Sequence, residues 1–399
     1  MRSRALICGL VLLTGILGLA GGCLPHADRS GQVPEGYAAS YATLIDDGTR
    51  EGQLVIWSTT DRKVMNDLLT AFETAYPGIR VEYLDLSALE IRDRFLAAAK
   101  AGRASADLLL SSSMDMQIKL VNDGYAQPYD SPEREHLPSW ANWKNQAWGT
   151  TAEPVAMVYN KALLPRARVP HNHMDFVRLL ERRDPDLRGR IATYDPSISS
   201  VGYLCVSQDN VISGHVWQMA HGLGANQARL FPTSEDVIQD VSSGRSIIGY
   251  NALGSYALDE AQRNPNLGVV FPTDYTLVMS RIAMIPVASR HPNAARLFLD
   301  FLLSARGQSL LAHHSMPSVR SDVALPAGLR DSKSPMRAIR VGPELLIAQD
   351  KLTRARFLKR WNREIAAGTA SARQPVAEPP RSPTSMPVGQ QRTAATGMR

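Results

Sequence analysis

Cysteine is scarce here, with Cys8, Cys23 and Cys205 the only three in 399 residues. Cys8 falls inside an apolar leader and Cys23 at its end, so a mature chain keeps Cys205, with or without Cys23. No disulfide framework is implied. Cys205 lies between Leu204 and Val206 and reads as a packed thiol rather than a nucleophile. The chain also lacks a Gly-x-Ser-x-Gly elbow, a His-Glu-x-x-His pair, a Walker loop, a Cys-x-x-Cys and a dinucleotide Gly-x-Gly-x-x-Gly. A Ser–His–acid triad drawn from distant residues leaves no such mark, and its structural sign would be His215 or His221 beside a cleft serine. The histidine pairs His171/His173 and His313/His314 have no companion ligand at metal spacing and read as surface residues. No cofactor is expected. Forty-four basic and thirty-eight acidic residues give a net charge of +6. Part of that excess sits near the ends (Arg2, Arg4, Arg373, Arg381, Arg392, Arg399), and no basic face with interleaved aromatics marks a nucleic-acid partner.

What is present begins with an export pattern. Arg2 and Arg4 precede an apolar run over residues 5–20, broken by glycines and too short for a span of about 20 residues. Residues 19–23, Leu-Ala-Gly-Gly-Cys, resemble a bacterial lipobox with Ala20 where leucine is usual. Residues 1–23 are thus either a cleaved signal or a signal ending at a lipidated Cys23, and the expected location is periplasmic, free or membrane-anchored. From about residue 370 the composition turns to Pro, Ser, Thr, Gln and Arg, and 370–399 reads as a disordered tail. What remains, roughly 320 residues, suits two lobes of about 150.

Residues 54–57 form a short apolar run, followed by an apolar stripe at Met65, Leu68, Leu69, Phe72 and Tyr76 with helical spacing. Ile79, Val81 and Tyr83 alternate as a strand, Ile91, Phe95, Ala98 and Ala99 mark a helix, and 107–110 is a third strand. A second series of strands and helices follows the tryptophans Trp140, Trp143 and Trp148, with helices expected over 203–222 and 345–366. The class is α/β, each lobe a mainly parallel sheet flanked by helices.

Open α/β sheets bind ligands beyond the carboxyl ends of their strands. Three hydroxyl-rich turns lie there: Ser58-Thr59-Thr60-Asp61, Ser111-Ser112-Ser113, and Ser197-Ile198-Ser199-Ser200. Each opens a helix and offers hydroxyls and free N–H groups suited to a phosphate, phosphonate or carboxylate. Helix capping is the competing role for the same residues. Asp61, Asp115, Glu153 and Asp195 lie close by and would repel a phosphate if they pointed inward.

Residues 107–124 (DLLLSSSMDMQIKLVNDG), 247–258 (IIGYNALGSYAL) and 296–311 (RLFLDFLLSARGQSLL) resemble segments of periplasmic solute-binding proteins grouped with the ferric-iron binders of ABC importers. The resemblance covers about 52–322. It implies a type II-like clamshell, with lobe 1 formed by 50–150 and 276–366, lobe 2 by 151–275, and hinge crossings near 149–154 and 271–276. It implies a monomer that delivers a small ligand to an ABC permease. Ferric binders of this kind use adjacent tyrosines, whereas here Tyr250 and Tyr256 are five residues apart and Thr60-Asp61 stands where a histidine would serve. Relatives without the tyrosine pair are associated with phosphonates and phosphorylated three-carbon acids, including a component that works with a membrane sensor kinase. The leading expectation is therefore a small anion held by Ser58, Thr59, Thr60, Asp61, Ser111, Ser112, Ser113, Glu153, Ser199, Ser200, Tyr250, Asn251 and Tyr256. Ferric iron on Asp61, Glu153, Tyr250 and Tyr256 is the first alternative, a ligand sensor is the second, and a secreted hydrolase the third. Glu153 serves equally as a ligand group or in a hinge salt bridge. The three tryptophans either stack on a ligand or pack in the core.

Overall fold

The computed structural model describes residues 32–330 and 332–372. The leader with Cys8 and Cys23, and the tail from 373, lie outside the described residues, and with them the export and lipidation expectations and the disorder expected over 373–399; residues 370 and 371, expected in that tail, instead end the last helix. Among the described residues no helix is long and apolar enough to cross a membrane.

Helix α1 (Tyr41–Glu51) leads into β1 (Gln53–Ser58), α2 (Arg62–Ala75), β2 (Arg80–Asp85), α3 (Ala88–Lys100), β3 (Leu108–Ser111) and α4 (Met114–Asn122). The stripe Met65, Leu68, Leu69 and Phe72 is the buried face of α2, as its spacing requires. Ser87 and Glu90 form a reciprocal capping box that fixes the start of α3. After β4 (Asn142–Trp143) and β5 (Ala147–Gly149) the chain crosses to β6 (Glu153–Asn160). The second lobe adds α5 (His173–Glu181), β7 (Ile191–Tyr194), α6 (Ser200–Ile212), α7 (Val216–Ala225), β8 (Arg229–Phe231), α8 (Ser234–Ser242), β9 (Ile248–Leu253), α9 (Gly254–Arg263), β10 (Leu267–Val270) and β11 (Thr276–Met279). The chain then returns through β12 (Ile282–Met284) to α10 (Pro292–Leu303) and α11 (Ala305–His313), followed by α12 (Ala327–Arg330), β13 (Met336–Ala338), α13 (Glu344–Gln349) and α14 (Lys351–Ser371).

Two sheets result. The first has the order β2-β1-β3-β12-β5-β4; the second has β13-β11-β6-β9-β7-β8, with β10 paired to β6. The expected parallel unit is present, since β1 pairs in parallel with both β2 and β3. Both sheets are nonetheless mixed: β12 runs antiparallel to β3 and β5, and β6 antiparallel to β9, β10 and β11. A strand that crosses between lobes enters its new sheet against the direction of the strands already there, which apolar patterning cannot reveal.

Four expectations need correction. The helix expected over 203–222 is split into α6 and α7, because Ser213 takes an extended conformation and its N–H ends α6 on the Asp209 carbonyl. The helix expected over 345–366 is likewise two, since the Asp350 side chain accepts from the Thr353 N–H and starts α14 afresh. The return crossing lies at Ser280–Arg281 and not within 271–276, because β11 belongs to the second sheet. Nor does 276–366 stay with one lobe. The segment after β13 docks on the first lobe, with the Val341 N–H on the Trp140 carbonyl (2.8 Å) and Gln349 donating to Asp115 on α4. Helix α14 then packs on α7 of the second lobe, with Trp361 in that lobe's core.

The α7–α14 crossing is unusually close. A Cβ on Gly224 would collide with the Ile365 carbonyl oxygen, and one on Gly368 with that of His221. We expect Gly224→Ala to cost about 1–3 kcal/mol or more through overpacking. Urea unfolding of the variant, with proteolysis reporting release of α14, checks this.

Candidate functional site

The two crossings run side by side and hold each other. Thr150 donates to the Arg281 carbonyl (2.9 Å), and the Arg281 N–H donates to Thr151 Oγ1 (2.9 Å). Arg281 and Glu153, one on each crossing, are fully buried and ion-paired: Nε donates to Oε1 (2.8 Å) and Nη2 to Oε2 (3.2 Å). Thr151 and Ser255 also donate to Glu153, using up its lone pairs. Burial opposes the charge on Arg281, but Glu153 and Tyr256 outweigh it and hold the guanidinium protonated above the ordinary arginine range. Nη1 donates to Thr60 Oγ1 (2.9 Å), and the guanidinium lies 5.5 Å from the centre of the Tyr256 ring. Of the two roles open to Glu153, the geometry gives it the hinge salt bridge.

Arg281 forms one wall of a cavity of about 300 Å³ between the two lobes. Thr59, Asp61, Ser112, Ser199, Ser200 and Tyr256 line it, together with Ser87, Tyr194, Thr233, Ser234, Glu235 and Leu253. Six helices therefore begin at its edge: α2, α3, α4, α6, α8 and α9. In three of them the competing role holds, since Ser87, Ser199 and Thr233 cap their own helices. In the other three, α2, α4 and α9, the cap residues Asp61, Ser113 and Leu253 make no side-chain capping bond. Some of their first N–H groups are taken: that of Arg62 on α2 by the Asp85 carboxylate (3.3 Å), and those of Met114 and Met116 on α4 by the Ser112 carbonyl and the Asp115 carboxylate. The positive end of each helix dipole still lies at the cavity edge. Across the cleft the hydroxyls of Ser113 and Ser200 meet, and Thr59 bonds both the N–H and the hydroxyl of Ser112.

The other expected site residues lie elsewhere. Ser58 and Ser111 are buried beneath the turns, where their hydroxyls accept from the N–H groups of Thr60 and Ser113. Tyr250 and Asn251 are not at the cavity. Tyr250 stacks on Phe176 with ring centres 5.0 Å apart and donates to Asp209 (2.8 Å), and the amide of Asn251 donates to the same carboxylate (3.1 Å). Burial pushes both Asp209 and Tyr250 above their ordinary pKa ranges; the neighbouring carboxylate raises Tyr250 further, whereas the hydrogen bond from Tyr250 works against the rise of Asp209. The four residues named for iron thus do not converge, because Glu153 belongs to Arg281 and Tyr250 to Asp209. Among the described residues no cluster of three His, Cys, Asp or Glu side chains could hold a metal. Tyr256 does reach the cavity, and its burial raises its phenol to about 12.

His173 corrects the reading of surface histidines. It is buried, bonded to Asp274 (2.9 Å) and stacked on Tyr275 at 4.1 Å. Neither His215 nor His221 lines the cavity. Trp148 is in the first lobe's core, and Trp140 and Trp143 pack beside a second cluster, so core packing is the role the tryptophans take. Asp115 is turned away, buried and held by Gln349, and Asp195 accepts from the Ser197 N–H. Sequence reasoning missed Arg281, although it is the single charge in the apolar stretch 276–287. That isolation was its available signal.

The family model described as bacterial extracellular solute-binding protein matches residues 67–334. The chain belongs to this family. The solved substrate-binding protein of an ABC transporter from Agrobacterium tumefaciens is 39% identical to this solute-binding protein, with a TM-score of 0.73, over 78% of this chain and 94% of that one. The periplasmic binding protein AfuA from Actinobacillus pleuropneumoniae, solved with exogenous fructose-6-phosphate bound, shares the fold at 17% identity and a TM-score of 0.66, over 79% of this chain and 98% of its own. A thiamine-binding periplasmic protein of Salmonella typhimurium is 24% identical over 191 residues, which are 47% of this chain and 57% of that protein. The match to this curated relative thus spans little more than half of its length. The relatives are substrate-binding proteins of transport.

Proposed function

We propose that this solute-binding protein captures a small ligand carrying a phosphate or similarly compact anionic group between its lobes and delivers it to the permease of a periplasm-facing ABC importer, without turning it over. The observation that carries this reading is the meeting of three helix N-termini, whose own cap residues make no side-chain bond, with the buried Arg281 guanidinium around one cavity between the lobes. Fixed dipoles and a guanidinium charge suit an oxyanion, and they act strongly where water is excluded. Arg281 sits on a hinge crossing, so an anion that engages it also engages the segment about which the lobes move. Ligand binding then favours closure by its preference for the closed state. That AfuA holds a sugar phosphate in the same fold, and that the Agrobacterium relative serves an ABC transporter, agree with this.

A thermal-shift screen of the mature protein tests the reading. A ligand at a hundred times its Kd stabilises the folded state by about 2.7 kcal/mol. We expect a clear rise in Tm with at least one phosphate ester or phosphonate and none with ferric citrate. A rise with ferric citrate alone, accompanied by a visible phenolate band, would overturn it.

A further inference from the structure

Charge is divided unevenly along this sequence. Residues 351–399 hold ten of the forty-four basic residues and two of the thirty-eight acidic ones, so this segment carries +8 and residues 1–350 carry −2. The described part of the segment is essentially α14, with six cations, Lys351, Arg354, Arg356, Lys359, Arg360 and Arg363, against the single acid Glu364. Helical spacing sorts them. Phe357, Trp361 and Ile365 belong to the second lobe's core, and Gly368 lies against α7. Arg354 and Arg360 lie over the rings of Tyr203 and Trp217, 4.1 and 4.0 Å from their centres. On the opposite side Leu352, Arg356, Lys359 and Arg363 follow one another at i, i+4, i+7 and i+11, all exposed. Among the described residues Arg356 and Lys359 make no ion pair, and Arg363 pairs with Glu364 of its own helix (3.1 Å). Leu352 is 66% exposed, and Ile347, on the neighbouring α13, is 67% exposed.

The stripe takes no part in holding α14 to its lobe. Nor do residues 373–399 supply its counter-charge, since they add four arginines against Glu378. We propose that α14 docks on an anionic phospholipid surface, with Arg356, Lys359 and Arg363 on the headgroup phosphates and Leu352 and Ile347 at the apolar edge. The inference lies outside the cleft and does not depend on what the cleft binds. Clusters of about four to eight Lys/Arg on an amphipathic helix are drawn to anionic bilayers, and exposed apolar side chains beside them add burial. A row of cations on a convex helix suits a plane of repeated phosphates, whereas a single small anion is held in a concavity. Docking of this kind would keep a protein that serves a permease at the membrane that contains it.

Co-sedimentation of the unlipidated protein with vesicles tests the proposal. The wild type is expected to sediment with vesicles of phosphatidylglycerol and phosphatidylcholine and not with phosphatidylcholine alone. Association should fall at least about tenfold in Arg356→Gln/Lys359→Gln/Arg363→Gln, whose residues keep good helix propensity and whose Tm should match the wild type. It should also be lost in the wild type as salt rises to about 1 M, where the screening length is about 3 Å. This arm reads the same contact without any substitution. Arg373→Gln/Arg381→Gln/Arg392→Gln/Arg399→Gln should retain most of the association. No association of the wild type, the result expected if an acidic protein covers the stripe, overturns the proposal. So does equal association with both kinds of vesicle, or a loss in the tail variant alone.

Discussion

Glu153→Ala is expected to destabilise the protein by about 3–5 kcal/mol, the cost typical of leaving one member of a buried ion pair behind. Glu153 and Arg281 are both fully buried, and Glu153 supplies both carboxylate contacts to the guanidinium. Without it, Thr60 and the weak 3.5 Å contact to the Thr59 carbonyl are the remaining side-chain hydrogen bonds of Arg281. The loss should be largely recovered in Glu153→Ala/Arg281→Met, in which no uncompensated charge remains. The proposed role of the cavity adds a distinguishing effect. Inorganic phosphate should raise the Tm of Glu153→Ala more than that of the wild type, because the anion takes the place of the missing carboxylate. Urea unfolding of the three proteins, with and without phosphate, checks the set. A loss below about 1 kcal/mol would show that the guanidinium is already solvated through the cavity.

The second large effect is a pH dependence centred on Asp300, far from the cleft. Its carboxylate is buried on α10 and accepts from the hydroxyls of Tyr41 (2.8 Å), Tyr129 (2.5 Å) and Ser131 (2.5 Å). Burial raises its pKa from 3.8 to about 7; the three hydroxyls pull it down and Glu133 pushes it further up. A carboxyl whose folded pKa lies above its unfolded value binds more protons folded than unfolded between the two. Its contribution is therefore fully favourable below pH 4 and is lost as the pH rises toward 7. A shift of this size corresponds to something on the order of 4 kcal/mol across that window. Other carboxylates with lowered pKa, such as Asp240 and Asp274, act in the opposite direction as the pH falls. The difference between wild type and Asp300→Asn isolates the one group. Relative to wild type, Asp300→Asn should gain stability steadily from pH 4 to 7 and stay level above that. A difference independent of pH would mean that Asp300 is ionised in the folded protein throughout.

How far the sequence carried this picture follows from the kind of signal each element leaves. The stripe of α2 and the short runs of β1 and β3 were legible because one face or one whole strand is buried, which periodicity records directly. The hydroxyl-rich turns were legible as helix starts for the same local reason. Whether a turn caps its own helix or faces the cavity was not, because Ser199 and Ser113 differ only in what tertiary structure places opposite them. Tyr250 and Tyr256 sit in one segment, yet one is spent on Asp209 and the other lines the cleft. Arg281 and Glu153 meet across 128 positions of chain, a separation no local pattern spans. The path of 336–371, from the second sheet to the first lobe and back, was hidden because amphipathic helices record that they are buried and not against what.

The most direct test of the central claim is an isothermal titration of the wild type and Arg281→Lys with whichever phosphate-bearing ligand raises Tm most. Lysine keeps a positive charge beside Glu153, so the hinge retains its pair, but it loses the planar group whose remaining N–H donors face the cavity wall beside Thr60. The account predicts one site per chain and an affinity at least about tenfold lower in the variant, or about 1.4 kcal/mol, with the fold intact. Binding at undiminished strength in Arg281→Lys would place the ligand somewhere other than the cavity between the lobes and contradict the account.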